Sequence, residues 1–188
     1  VRFSYILYAD RADGTYSQVD DTHAPLNMPA SFAWIRGLES LPMSVSFRLP
    51  ADSTWKAATQ LFPTDDALRF TAPNLQYFMD SPVELSDHAV REWRVTSLSG
   101  SFPVRGAMHH QGSDAELDAY VEKLKRVVQQ QVAVFGTTPQ YDVRSYTFIA
   151  DYLPWASGDG MEHRNSTIIT SSRALATSET ALLGTASH

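Results

Sequence analysis

Apolar and polar residues alternate with a period of two in the first part of the chain. Met43, Val45 and Phe47 fall on one side of this pattern, and Ser44 and Ser46 fall on the other. Since successive side chains of a strand point to opposite faces, the alternation predicts strands with one buried face and one wet face. Prolines between such runs indicate turns, so this part of the chain predicts antiparallel β structure. Further runs of aromatic and β-branched residues occupy 2–9, 31–38, 90–96 and 102–107.

A helix signal begins at Ser113. This residue can cap a helix, and Glu116, three residues later, can complete a capping box. Gly136, followed by Pro139, supplies a stop signal. The pattern therefore predicts a single helix from Asp114 to Phe135. The apolar residues at helical spacing that we expect to be buried include Leu117, Val121, Leu124 and Val128.

Strand and helix signals are mixed in the chain after this helix. Val143–Ala150 and Met161–Thr170 have the composition of strands, the second at or near a sheet edge, and Ser178–His188 has that of a helix start. The change of pattern near residue 110 predicts a boundary between two parts. We therefore predict an α+β fold, with a mainly antiparallel β domain over residues 1–110 and a mixed part over residues 111–188.

Composition limits the classes of function. The chain has 188 residues, of which 43% are hydrophobic, enough for one large core or two modest ones. Fifteen Lys and Arg against 21 Asp and Glu give a formal net charge of -6, so we expect no nucleic-acid partner. No apolar run approaches the roughly 20 residues that span a bilayer, which predicts a soluble chain, cytoplasmic or periplasmic. Cysteine is absent, which excludes disulfides and thiolate metal sites.

The most specific motif is Gly160-Met161-Glu162-His163-Arg164-Asn165-Ser166, a glycine entering a polar strand with adjacent Glu and His. It resembles the Gly-Met-Glu motif of aminopeptidase N-like zinc enzymes. In the form Gly-x-Glu-His-x-Asn-Ser it is similar to the glycyl aminopeptidase family, whose members often carry a PDZ domain. Further segments match that family's landmarks in order: Trp55–Leu61, Asp80–Glu84, Phe135-Gly136 and Leu182–His188.

The resemblance implies that residues 111–188 begin a thermolysin-like catalytic domain. It implies that Glu162 accepts hydrogen bonds from the free amine of a peptide substrate, beside the backbone of Gly160 and Met161, with the role of His163 left open. His188 corresponds to the first histidine of the zinc motif H-E-x-x-H. We therefore expect zinc in a longer parent, an incomplete site and no metal in this fragment, and no peptidase activity from it alone.

Other interpretations remain open from the residues themselves. Glu162 could be an ordinary exposed residue, and the whole chain could be a non-catalytic β-sandwich module that binds peptide or carbohydrate. His109 and His110 could suggest a metal pair, but adjacent strand residues point to opposite faces, which favours a solvated linker. His23 and His88 stand in turn-like sequence and are expected at the surface. The aromatic pattern predicts Trp34 and Trp93 in the core and leaves Trp155 in a loop.

Overall fold

The computed structural model describes residues 2–188, which form eleven strands and four helices. The strands are β1 (His23–Leu26), β2 (Met43–Ser46), β3 (Lys56–Thr59), β4 (Phe62–Pro63), β5 (Arg69–Ala72), β6 (Val83–Ser86), β7 (Ala89–Ser97), β8 (Gly100–His110), β9 (Tyr146–Tyr152), β10 (Asp159–Glu162) and β11 (Ser166–Ser171). The helices are α1 (Met28–Ser31), α2 (Leu75–Met79), α3 (Asp114–Phe135) and α4 (Leu175–Ala186).

Three sheets organise these strands. Two of them are antiparallel and have three strands each, in the orders β1-β6-β3 and β2-β5-β4. The third has five strands in the order β10-β11-β9-β8-β7, and its central strand β9 runs parallel to both of its neighbours. The predicted α+β fold is confirmed. The five-stranded sheet takes strands from both sides of residue 110, and the domain boundary there stays a prediction.

Helix α3 confirms the helix expected from the sequence. It runs from Asp114 to Phe135, and the capping box at Ser113 and Glu116 is formed. The Ser113 N–H donates to Oε2 of Glu116 at 2.7 Å, and the Glu116 N–H donates to Oγ of Ser113 at 3.3 Å. Gly136 ends the helix with a φ of 74°, a left-handed conformation that glycine adopts without strain.

Helix α3 packs on one face of the five-stranded sheet. Leu117, Val121, Leu124 and Val128 are buried, as the periodicity predicts. The sheet side of this core is apolar and includes Val104, Met108, Phe148, Ala150 and Ile169. A second core lies among the first two sheets and includes Met28, Phe70, Phe78, Val83 and Leu85. The fold therefore has two large, separate apolar cores, beside a small cluster of Ala12, Leu153 and Ala156.

Several expected elements differ in the structure. The single strand expected over Met161–Thr170 is a hairpin of β10 and β11, in which the His163 N–H donates to the Ser166 carbonyl at 2.8 Å. The expected strand at 143–150 lies at Tyr146–Tyr152, and the helix expected from Ser178 begins at Leu175.

Two aromatic runs that we expected to be strands, residues 2–9 and 31–38, form none within the described chain. Trp34 is half exposed there because it has no sheet to pack on, which corrects its expected place in the core. Trp93 does pack against the core, and Trp155 is exposed in its loop. The corresponding runs near residues 90–96 and 102–107 lie in β7 and β8.

Candidate functional site

A cleft opens between the edge strand β10 and helix α4, with a volume of about 630 Å³. Gly160 and Glu162 line it from the strand, and Thr185 and His188 line it from the helix and the residues after it. Tyr146 is one of the aromatic residues on its wall. The structure thus brings Gly160, Glu162 and His188, three of the residues singled out by sequence, into one cavity.

Glu162 presents a solvent-accessible carboxylate at this cleft. Its strand, β10, is at the end of the five-stranded sheet, and among residues 2–188 only β11 pairs with it. The Glu162 side chain is 72% exposed, and its Oε1 lies 3.7 Å from Nδ1 of His188. The prediction that Glu162 sits near a sheet edge and outside any buried ion pair is confirmed. Its role in substrate binding stays a prediction.

Gly160 allows α4 to approach the strand closely. A Cβ atom at this position would lie 3.1 Å from Cγ2 of Thr185, which is tighter than most side-chain contacts. A larger residue at this position would therefore require the Thr185 methyl group to shift by a few tenths of an ångström. Met161 is half-buried, and its carbonyl accepts a 3.0 Å hydrogen bond from Oγ1 of Thr167, which ties this point of the strand to β11.

His163 faces away from the cleft. Its Nδ1 is 2.9 Å from Oδ1 of Asp80, just after α2, and only 8% of its side chain is exposed. The neighbouring Arg164 donates through Nε to Oδ2 of Asp142 at 2.6 Å. The Asp80 contact holds the turn between β10 and β11 against the first half of the chain, and the Asp142 contact ties it to the loop before β9. His163 therefore has the position of a residue that fixes the hairpin, while Glu162 has the position of one that meets a ligand.

The catalytic zinc expected from the family resemblance has one candidate ligand here, His188. Among the described residues, Glu162 is the acidic side chain that lies within 4 Å of the His188 imidazole. A catalytic zinc site needs three protein ligands and an open position for water. The residues of this chain do not fit that requirement at the cleft, so we derive no catalytic step from a metal bound at His188.

A second group of titratable residues lies away from the cleft. His23, Glu84, His109 and Asp151 place one ligand atom each within 4.8 Å of one another. Burial raises the pKa of Glu84 well above its ordinary value, and the neighbouring Asp151 raises it further. Burial likewise lowers the pKa of His109. The group is thus an enclosed polar cluster.

Three expectations about histidines are wrong. His23 and His88, expected at the surface, are buried because the two sheets that contain or adjoin them pack face to face. His109 and His110, expected in a solvated linker, end strand β8. They do point to different sides: His110 Nδ1 accepts the Gly112 N–H at 3.0 Å, while His109 joins the buried cluster. No local motif marks this cluster, because its members come from four strands.

A comparison with known protein families matches the first part of the chain. Residues 1–87 match the family of the peptidase M61 N-terminal domain. We refer to these residues as the M61 segment. A comparison with curated proteins gives no match.

Solved structures of aminopeptidases share the fold of this chain. An aminopeptidase N family protein from Idiomarina loihiensis matches with a TM-score of 0.63 and 20% identity, over 84% of this chain and 26% of that protein. Aminopeptidase A from Legionella pneumophila, in complex with aspartic acid, matches with a TM-score of 0.50 and 11% identity, over 86% of this chain and 20% of that protein. The chain therefore spans about a quarter or less of these two proteins.

The M61 segment contains β1 to β6 and both of the smaller sheets. The cleft with Glu162 lies wholly outside it, whereas the buried cluster takes His23 and Glu84 from the M61 segment and His109 and Asp151 from the five-stranded sheet. Among the described residues, no helix is both long and apolar enough to cross a membrane.

Proposed function

We propose that this chain is part of a zinc-dependent aminopeptidase that removes N-terminal residues from peptides, with Glu162 binding the substrate amine. The match of the M61 segment to a peptidase domain family and the fold shared with aminopeptidases support the peptidase class. The observation that carries the role of Glu162 is its exposed carboxylate on an edge strand, at a cleft that also contains His188.

The chemistry of an aminopeptidase requires such a group. The enzyme must recognise a free ammonium one residue away from the bond that it cleaves. A carboxylate accepts strong, charge-assisted hydrogen bonds from that ammonium and fixes its position. Glu162 has no Lys or Arg partner among the described residues, so its charge is available for a ligand.

The edge of β10 supplies a second element of recognition. Because its outer side has no neighbouring strand among residues 2–188, its backbone N–H and C=O groups can pair with an extended peptide. Pairing of this kind is independent of side-chain identity. The proposed substrate is therefore a peptide with a free N-terminus, held by its backbone along β10 and by its amine at Glu162.

On this proposal the 188-residue chain does not hydrolyse peptides by itself. The cleft contributes one histidine, and the remaining zinc ligands and the general base would come from residues after His188. The test uses a longer chain of the same protein that includes those residues. It should hydrolyse aminoacyl substrates, and the 188-residue chain should not.

In that longer chain, we expect Glu162→Gln to lower kcat/KM for substrates with a free amine by roughly 30- to 1000-fold, or about 2 to 4 kcal/mol of transition-state binding. Zinc content should stay unchanged because Glu162 binds substrate and not metal. The matched control is Glu122→Gln, which alters an exposed carboxylate on α3 outside the cleft and should leave kcat/KM unchanged. Full activity of the Glu162→Gln enzyme would refute the amine-binding role, and hydrolysis by the 188-residue chain would refute the need for further residues.

A further inference from the structure

Four polar side chains meet where two sheets face each other. His23 and Glu84 come from β1 and β6 of the first three-stranded sheet, and His109 and Asp151 come from β8 and β9 of the five-stranded sheet. Nδ1 of His23 lies 3.8 Å from Oε1 of Glu84 and 3.7 Å from Oδ1 of Asp151. Nδ1 of His109 lies 3.9 Å from the same Asp151 oxygen. We call these four residues the quartet.

Three of the four residues are fully buried, the His109 side chain is 16% exposed, and the facing atoms of the quartet lack hydrogen-bond partners. His23, Glu84 and Asp151 are 0%, 1% and 2% exposed. The unpartnered atoms are Nδ1 of both histidines, both carboxylate oxygens of Glu84, and Oδ1 of Asp151. Burying polar atoms without partners costs several kcal/mol each on apolar-transfer scales, so native proteins almost always satisfy them. A group of such atoms that converge on one point indicates a bound species between them.

The second nitrogen of His23 fixes the form of its ring. Nε2 lies 2.9 Å from Oε1 of Gln18, and that amide oxygen can only accept a hydrogen bond. Nε2 therefore carries a proton, and in the neutral ring Nδ1 presents a lone pair to the quartet. Histidines that ligate metals use this arrangement, in which a carbonyl or carboxylate holds the far N–H.

The charges of the quartet favour a bound cation. Two carboxylates of the quartet lie in a buried site, and within residues 2–188 neither forms an ion pair with Lys or Arg. The partly buried Arg105, also on β8, donates to Oγ1 of Thr147 and to the carbonyl of Thr59. A divalent ion would balance the two carboxylates and provide a partner for the unpartnered atoms at once.

We infer that the quartet binds one divalent transition metal, with zinc as the ion its ligands suit best, and that this metal joins the two sheets. Two imidazole nitrogens and two carboxylate oxygens are ordinary zinc ligands, with bond lengths near 2.1 Å. A tetrahedral site of that size has ligand atoms about 3.4 Å apart. Three of the six ligand-atom pairs lie 3.7 to 3.9 Å apart and would close by a few tenths of an ångström on metal binding. All six lie within 4.8 Å, so the widest pairs would close by up to about 1.4 Å.

The site is structural in type. Four protein ligands leave no open position for substrate or water, which is the pattern of zinc sites that hold a fold together. It is also independent of the cleft, since neither Glu162 nor His188 belongs to the quartet. The M61 segment provides two ligands, and the five-stranded sheet provides the other two. The metal would therefore fasten the M61 segment to the remainder of the chain.

The experiment measures metal in the purified 188-residue chain after addition of Zn²⁺ and removal of excess. We expect about one zinc per chain, and chelation should lower the Tm by roughly 5 to 10 °C. The chain with Co²⁺ in place of zinc should show the intense visible bands of four-coordinate cobalt. Two results on the wild-type chain would each overturn the inference. One is a folded chain that retains no zinc, and the other is a cobalt spectrum with only the weak bands of six-coordinate ions.

Variants then locate the ion. Glu84→Gln and His109→Ala should weaken zinc binding by about 100-fold or more, because even loss of a residue supporting a ligand costs 10- to 100-fold. His188→Ala removes the cleft histidine, and His110→Ala removes the neighbour that points away from the quartet; both should retain the zinc. Loss of zinc in His188→Ala with retention in Glu84→Gln would place the ion in the cleft and refute the quartet site. Circular dichroism on each variant confirms that the fold is kept.

Discussion

The two faces of the five-stranded sheet are both buried at its central strand β9, yet they differ in chemistry. One face packs Phe148, Ala150 and Tyr152 of β9 against the apolar side of α3. Along the same strand, the alternate residues Thr147 and Asp151 point the other way, toward the M61 segment, and they are equally buried. Since strand side chains alternate, one seven-residue strand serves an apolar interface and a polar one.

The difference shows how each interface is held. The α3 face is held by the area of apolar surface removed from water, which tolerates small shifts and needs no exact partner. The opposite face is held by specific partners: Gln60 donates through Nε2 to the carbonyls of Ser145 and Asn165 and to Oγ1 of Thr147. A missing partner there leaves a buried polar atom unsatisfied. Mutations on the two faces should therefore destabilise the fold for different reasons. Those on the α3 face remove buried apolar area, and those on the opposite face leave buried polar atoms without partners.

The largest effect is expected on the apolar face. Leu124→Ala removes a side chain that is fully buried between α3 and the sheet, and it should lower the free energy of unfolding by about 2 to 5 kcal/mol. The cause is the lost transfer energy plus the cavity left behind. Urea denaturation monitored by circular dichroism measures it.

Val134→Ala is the control for this substitution because Val134 lies on the same helix and is 79% exposed. It should change stability by less than about 0.5 kcal/mol. Equal stability of the Leu124→Ala and wild-type proteins would mean that the α3 face of the sheet is not an apolar core.

The next effect tests the polar face. Gln60→Leu keeps a similar volume but removes the amide that bridges the M61 segment and β9. We expect a loss of about 1 to 3 kcal/mol in the free energy of unfolding, since acceptors such as the Ser145 carbonyl lose a buried donor. The exposed Gln140 provides the control, because Gln140→Leu should have little effect. A stabilised Gln60→Leu protein would show that this face prefers apolar packing after all.

The same contrast explains what could be predicted from the sequence. Helix α3 was predictable to the residue because its signals are local: a capping box at Ser113, apolar residues at helical spacing, and Gly136 as a stop. Exposure of Glu162 at a sheet edge was predictable because the family motif places it there. The α+β class followed from the change of period near residue 110.

The quartet was not predictable, because its signal exists only after two strand pairings have formed and the two sheets have come together. His109 meets Asp151 through the register of β8 and β9, and His23 meets Glu84 through the pairing of β1 and β6. The hairpin at β10 and β11 was missed because its turn contains neither Gly nor Pro. Long-range contacts of His163 with Asp80 hold that turn instead.

The smallest effect concerns one polar pair on the apolar face. The hydroxyls of Tyr120, on α3, and Tyr152, on β9, lie 2.7 Å apart in the buried core. Burial raises the pKa of Tyr120 to about 12, so both rings are neutral near pH 7 and share one hydrogen bond. Tyr120→Phe should cost about 0.5 to 1.5 kcal/mol, because it leaves the Tyr152 hydroxyl without a partner.

The double variant Tyr120→Phe with Tyr152→Phe separates the hydrogen bond from the packing. Both rings keep their edge-to-face contact, with centroids 5.6 Å apart, while the two hydroxyls disappear together. On a face held by apolar area, the double variant should be nearly as stable as the wild type, within about 0.5 kcal/mol, and more stable than the single variant. Denaturant titrations of the two single variants and the double variant complete the cycle. If the losses of the single variants simply add, the two hydroxyls are not coupled and each is stabilised by other partners. The apolar face would then also depend on specific polar contacts, and the two faces of the sheet would differ less than their composition indicates.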